Sequence, residues 1–494
     1  MRKIISFFLL FATLLTICNI SVYSEDNIVE IMLNNENTTV DGQPISTSVE
    51  DSIYLAYDII YYPEGKDSSF GAGIEDSIYT KEEADKNAVV HITKPGTYKV
   101  TGDHIGQIAI DLGKDSIYDK NAVVNLILDN VEIMCTVAPA ICVYNVYECG
   151  DYNYEKANVS TENAGFNLII AENSTNIVNG SYVDTIFVPG SLTYYENGTV
   201  ESATILHNYS GAIHSNMSMN INFENQNGLL TVTGKQDGFS SKFHLTINGG
   251  TITVNAQRHG FYTYANGDSV LTINNSDIYA VSYSEKEYEF GTGINSQGWI
   301  VLNGGKLTTF NSSGKCNGIK VIKEFIINNG EVLTSGIIPE HTIHELKEVV
   351  IKFKDIHPKS TIVSVKQDDE LLNITLPVNC SSLSYIGEKL NAGRYQLLVN
   401  NETYSDKPLH EYVTITEEST VLENVDKYVP IDYFKIFVIV LIFVGSVGII
   451  VGLVFAIKFV VKKYKTNKEQ KELAKKLERK KSRQHKKKKK HKKH

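Results

Sequence analysis

Cysteine, proline and tryptophan are scarce in this chain of 494 residues, which holds six, ten and one of them. So few cysteines exclude a fold stapled by disulfides. The five beyond the first 24 residues, Cys135, Cys142, Cys149, Cys316 and Cys380, are an odd number. The first three are spaced by seven, and no His or Cys neighbour completes a zinc pattern, so one local disulfide is expected there rather than a metal. With little proline, 35 glycines, 42% hydrophobic and 21% charged residues, wholesale disorder is excluded. EF-hand loops and nonapeptide calcium repeats are missing too.

Long apolar runs are confined to two places. Ile4 to Ile17 follows Arg2 and Lys3, precedes Val22-Tyr23-Ser24, and is short for a bilayer that needs roughly 20 residues. Residues 1–24 therefore read as a secretory signal peptide. Ile436 to Ile457 has neither charge nor proline, and Lys458, Lys462 and Lys463 follow it. That reads as a transmembrane helix over 433–461 in a single-pass type I protein, with the tail cytoplasmic. Gly448 and Gly452 give the span a small-xxx-small face.

The net charge of -10 hides a division. Residues 462–494 hold 18 Lys or Arg against 3 acids, whereas residues 25–434 hold 25 against 54. The poly-Lys tail is expected to be disordered and to hold anionic lipid, each cation near the surface adding about 1 kcal/mol. Its tether to a membrane argues against a nucleic-acid partner. Asn-x-Ser/Thr triplets open at Asn37, Asn158, Asn173, Asn179, Asn197, Asn208, Asn216, Asn274, Asn311, Asn373, Asn379 and Asn401, and none lies in the tail. That distribution fits a secreted, N-glycosylated segment at the plasma membrane, or alternatively in the endoplasmic reticulum membrane.

The segment repeats internally. Leu245-Thr-Ile247-Asn248-Gly249-Gly250, Leu271-Thr-Ile273-Asn274-Asn275-Ser276, Ile300-Val-Leu302-Asn303-Gly304-Gly305 and Phe325-Ile-Ile327-Asn328-Asn329-Gly330 align at Asn-to-Asn steps of 26, 29 and 25 residues. Apolar residues three and one before each Asn and four after it (Ile252, Ile278, Leu307, Val332) have period two on both sides of a corner, hence two strands. Gly238-Phe239, Gly260-Phe261, Gly293-Ile294 and Gly318-Ile319 imply a third. Asn and Gly at the corner suit left-handed backbone angles. Three short strands per repeat predict a parallel β-helix over residues 89–336. An antiparallel sandwich would also give short alternating strands, but its repeats would not keep one corner chemistry in one register. Residues 25–88 are expected to cap the first coil, 148–210 to carry long loops, and 337–430 to form a small β cap.

The run His91-Ile-Thr-Lys-Pro-Gly96-Thr-Tyr98-Lys-Val-Thr-Gly102, with Gly106-Gln107-Ile108-Ala-Ile110-Asp111, Leu126-Ile-Leu128-Asp129-Asn130-Val131-Glu-Ile133 and Lys389-Leu-Asn-Ala-Gly393-Arg-Tyr395, resembles a carbohydrate-binding domain family of cellulolytic bacteria. The resemblance covers about residues 85–400. It implies an all-β, right-handed parallel β-helix akin to polysaccharide lyases, binding cellulose or acidic pectin-type glycans, with calcium sites and without lyase chemistry as the norm. The membrane anchor, the poly-Lys tail and the loop-rich 148–210 region depart from the family pattern.

Outward positions of the repeat suggest ligand contacts at Trp299, Tyr279, Tyr264, Phe310 and His244, because aromatic faces with a polar rim stack on sugar rings. Asp237, Asp277, Glu287 and Glu331 are the acids that could hold calcium. A lyase alternative would need a cation as base, for which Arg258, Lys242 and Lys320 stand in position. The expectation is a membrane-anchored, glycosylated, non-catalytic polysaccharide-binding protein, with a calcium-dependent lyase as the alternative.

Overall fold

The computed structural model describes residues 28–490 except 67–69, 72–77, 151–156, 266, 284–290, 313–316, 345, 368–369 and 418. The expected signal peptide, Glu287 and Cys316 lie outside the described residues. The chain divides into two units, Met1–Tyr428 and Val429–His494.

In the first unit the repeats pair in parallel, copy on copy. Leu245 lies opposite Leu271 and Leu271 opposite Ile300, with Ile247, Ile273 and Leu302 in register two residues on. Strands Phe166–Ile170, Met219–Phe223, Leu245–Asn248 and Val270–Asn274 form one parallel stack. Thr175–Gly180, Leu229–Gly234, Thr251–Ala256 and Ser276–Ser282 form a second. Each stack turns one face of its alternating residues inward, so Ile221, Ile247, Ile273 and Leu302 of the first meet Val232, Val254, Ala280 and Leu307 of the second in one core.

The expected right-handed parallel β-helix is corrected here. Two longer strands, Val124–Met134 and Trp299–Asn311, run through the corner and hydrogen-bond into both stacks. The parallel ladder is a closed barrel of 10 strands with extra strands beside it. The sequence pattern registers the corner as a break between two strands, but in these two copies the backbone pairs on both sides of it.

The extra strands include a third parallel ladder: Ile141–Asn145, Gly211–Ser215, Asp237–Ser241, His259–Thr263, Thr292–Ser296 and Ile319–Val321. Its Gly-apolar dipeptides lie rung on rung, and the Phe239 and Phe261 rings stack at 4.8 Å. The glycine is required by close approach: a Cβ on Gly238 would sit 2.2 Å from Val254 Cγ1.

Corner chemistry follows expectation in its left-handed Asn and Gly and adds a second role for the aligned asparagine. The left-handed residues are those after the aligned asparagine, such as Gly249 (φ 80°), Asn275 (φ 51°) and Gly305 (φ 86°). The asparagines themselves form a side-chain ladder in which each Nδ2 donates to the Oδ1 one copy earlier. Asn248 donates to Asn222, Asn274 to Asn248 and Asn303 to Asn274, each at 2.8 Å, and Asn328 donates to Asn303 at 2.7 Å. Because parallel strands repeat every 4.8 Å or so, identical amides at one register position fall within hydrogen-bond reach.

At one end Ile28–Leu33 pairs in parallel with Gly96–Asp111 and in antiparallel with Thr39–Val40. At the other, Cys380–Gly387 pairs in antiparallel with Phe325–Ser335 and with Lys347–His357. That pairing opens a largely antiparallel region with its own core of Val363, Val365, Tyr395, Leu397 and Val413. Cys135, Cys142 and Cys149 are free thiols, so the expected local disulfide is corrected, and burial pushes Cys135 and Cys149 up to about 12.

The second unit is a helix, Tyr433–Lys490. Its apolar part is long enough to cross a membrane, about 33 Å for 22 residues at 1.5 Å each. Its Phe437, Phe443 and Phe455 are exposed, and a helix apolar on all sides has no favourable place in water. The tail expected to be disordered instead continues this helix to Lys490. Beyond Gly452 it holds no glycine or proline, and an established helix extends without a new nucleation cost.

Candidate carbohydrate-binding face

The third ladder carries polar and aromatic residues on the side opposite its buried Phe239, Phe261 and Ile294. Strand alternation makes this row His214, Ser240, Tyr262, Asn295 and Lys320, each opposite the next. Just past the ends of these strands stand Asn216, Lys242, Tyr264 and Gln297. A chain of ring contacts runs along part of this side. Tyr144 meets Tyr209 edge-on at 5.3 Å, Tyr209 meets His214 at 5.0 Å, His214 stacks on Tyr264 at 6.2 Å, Tyr264 on Tyr262 at 5.6 Å, and Tyr262 lies 5.1 Å from His259.

Buried hydrogen bonds fix these rings. Ser240 Oγ lies 2.6 Å from His214 Nδ1, and Asn216 Oδ1 accepts from His214 Nε2 at 3.2 Å. Asn295 Nδ2 donates to His259 Nε2 at 3.0 Å, which leaves His259 Nδ1 to donate to Thr292 Oγ1, also at 3.0 Å. Gln297 donates to Asn295 Oδ1 at 3.2 Å. Burial pushes His214 and His259 down to about 4, so both are neutral at physiological pH. Burial also raises the phenols of Tyr262 and Tyr264, which keeps their hydroxyls protonated.

Asp237 opens its strand fully buried. Arg258 Nε and Nη2 reach its two carboxylate oxygens at 2.8 and 2.6 Å, and the His259 backbone N–H adds a third bond at 3.1 Å. Burial pushes the Asp237 carboxyl up, but the Arg258 guanidinium outweighs it and holds the group below the usual carboxylate range. The guanidinium also lies over the Tyr262 ring, 5.2 Å from its centre. Lys242 and Lys320 are exposed.

The structure divides the residues singled out from sequence. Tyr264, Lys242, Lys320, Arg258 and Asp237 gather on this face. Trp299, 8% exposed, is packed beneath Lys323, and Phe310, 1% exposed, belongs to the second core. His244 is buried, pushed down to about 4 by that burial, and accepts from the Val270 backbone at 3.2 Å. Tyr279 packs half-buried against the second core. Asp277 and Glu331 share one register row with Lys306 between them, and Glu331 pairs with Lys389 at 2.7 Å. Two strand spacings put Asp277 and Glu331 about 10 Å apart, and Asp237 is spent on Arg258. Among the described residues, which exclude Glu287, no cluster of three His, Cys, Asp or Glu could hold a metal ion.

Sequence reasoning missed Asn295, read Tyr262 as ordinary surface, and discounted His214 and His259 as bases. The signal was the residue just after each Gly-apolar dipeptide: Ser240, Tyr262, Asn295 and Lys320.

Residues 86–336, just over half of the chain, match the family described as carbohydrate-binding domain-containing protein. The chain belongs to that family. Every residue of the face lies inside this carbohydrate-binding domain, and the family match supports a carbohydrate-binding role for it. Among curated proteins nothing matches. A solved structure that is similar is that of the polysaccharide lyase-like protein from C. thermocellum, a gadolinium derivative. It is 19% identical over 64% of this chain and 97% of its own, with a TM-score of 0.31.

Proposed function

We propose that this protein is a non-catalytic polysaccharide tether, anchored in the plasma membrane by its apolar helix, that grips its ligand along the third ladder. The observation that carries the reading is the ring-connected row of half-buried Tyr262 and Tyr264 between exposed Lys242 and Lys320. Half-buried tyrosines held by neighbours offer ring surface and hydroxyls at little entropic cost. A ladder repeating every 4.8 Å or so suits a polymer with regularly spaced rings. Among the described residues, Asp237 is neutralised by Arg258, and Lys242 and Lys320 stand exposed beside the two tyrosines, a cationic flank for a ligand. That favours pectin-type acidic chains over cellulose, with lysines in place of calcium as the counter-charge. Arg258, one of the three candidate bases of the lyase alternative, has its guanidinium engaged by a buried carboxylate. The basic residues after Ile457 support a reading with the tail in the cytoplasm, against anionic lipid, and the body outside.

The test is retention of the detergent-solubilised full chain on polygalacturonate and on insoluble cellulose, with calcium or with chelator. Retention on polygalacturonate that survives chelator and falls with salt is the expected result. Retention that requires calcium, or retention on cellulose alone, would overturn the cationic reading, and release of unsaturated sugar would replace the tether by a lyase.

A further inference from the structure

The twelve sequons do not stand in equivalent surroundings. Asn37, Asn158, Asn173, Asn197, Asn208, Asn373, Asn379 and Asn401 are exposed. Where such side chains bond, it is through Oδ1, the atom a glycan leaves in place: Asn197 Oδ1 accepts from the Thr199 N–H at 3.0 Å and Asn379 Oδ1 from the Lys359 N–H at 3.0 Å.

Three others are engaged at Nδ2, the atom to which a glycan attaches. Asn274 sits inside the asparagine ladder, donating from Nδ2 to Asn248 and accepting at Oδ1 from Asn303, both at 2.8 Å, and its sequon hydroxyl, Ser276, is buried. One strand spacing of about 4.8 Å separates it from either neighbour, which leaves no room for a pyranose ring. Asn311 is fully buried and donates from Nδ2 to the Gly291 carbonyl. Asn216, half-buried, donates from Nδ2 to the Tyr144 carbonyl at 3.5 Å and props His214 through Oδ1. Asn179 lies half-buried in strand Thr175–Gly180 and falls in neither group.

These three are the only sequons between Tyr209 and Leu372. We propose that N-glycans occupy the eight exposed sites and are excluded from Asn216, Asn274 and Asn311, so that the stretch bearing the polysaccharide-binding face stays bare. A chain glycosylated at Asn274 before folding could not close the ladder, so the folded population lacks that form. The inference rests on the outward orientation of the body given above.

The experiment is site mapping on the full chain, expressed in a glycosylating eukaryotic cell and purified folded in detergent. Enzymatic glycan release in heavy-oxygen water tags each formerly occupied asparagine for mass spectrometry. Tags are expected among the eight exposed sites and at none of the three. A tag at Asn216, Asn274 or Asn311 overturns the sorting while leaving the orientation intact, whereas a chain without any tag overturns the orientation and the inference with it. Gel mobility gives a second reading that survives a folding defect in Asn274→Gln. Ser276→Ala destroys the same sequon while keeping the ladder amide, and is expected to leave mobility unchanged, whereas Asn401→Gln raises it by one glycan.

Discussion

Two sides of the first unit are built from the same repeats in the same parallel register, yet they use polar residues in opposite ways. At the corner each asparagine bonds its own copy, Asn222 to Asn248 to Asn274 to Asn303 to Asn328. On the third ladder the row reads His214, Ser240, Tyr262, Asn295 and Lys320, five residue types in five rungs. A polar position that repeats itself satisfies itself and leaves nothing for a ligand. A position that varies from rung to rung needs unlike partners, some of which, such as Lys320, are turned to solvent. In a repeat fold, variation at a fixed register position marks the functional side.

Acid should break the comparison most severely. His214, His244 and His259 are buried and pushed down to about 4, against about 6.5 when unfolded. Between these values the unfolded chain binds protons that the folded chain refuses, so the stabilisation is complete above pH 6.5 and is lost as pH falls toward 4. Each histidine contributes about 3 kcal/mol across that window, and the three together rival the whole stability of an ordinary domain. Melting temperature against pH checks this; a flat profile from pH 7 to 4.5 would refute the burial assigned to these rings.

Arg258→Ala should come next. It leaves the Asp237 carboxylate buried without its counter-charge, at a cost of about 3–5 kcal/mol in denaturant unfolding, whereas Asp237→Asn with Arg258→Met should recover most of it. On the corner side, Asn274→Ala removes two ladder bonds, leaving a half-buried carbonyl on Asn248 and an exposed amide on Asn303, at a cost of about 1–2 kcal/mol. Asn328→Ala, at the exposed end with one bond, should cost under about 1 kcal/mol, and equal costs would mean that the ladder carries no stability. Trp299→Ala should sharpen the contrast: it opens a void worth about 3 kcal/mol or more in stability and leaves glycan binding alone.

Much of this architecture is legible in the sequence, and the misses have physical causes. The four aligned corners and the Gly-apolar dipeptides predict which residues stack, and Leu245, Leu271 and Ile300 do. Closure into a barrel is invisible because the period-two pattern fixes which residues of a strand face inward and says nothing of how many strands complete the ring. Trp299 and Phe310 are misjudged because aromatic character says nothing about which side of a strand faces the core. Asp237 reads as a metal ligand until Arg258 is seen beside it, 21 residues away in sequence but adjacent across the ladder.

The central claim is that the varied row binds polysaccharide, and the most direct test is an oligogalacturonate binding isotherm for the full chain and for Tyr262→Ala with Tyr264→Ala, with circular dichroism melting in parallel. Loss of two ring contacts should weaken binding about 10-fold or more while the melt moves little. Unchanged affinity in that double variant, with Trp299→Ala losing binding instead, would contradict the account.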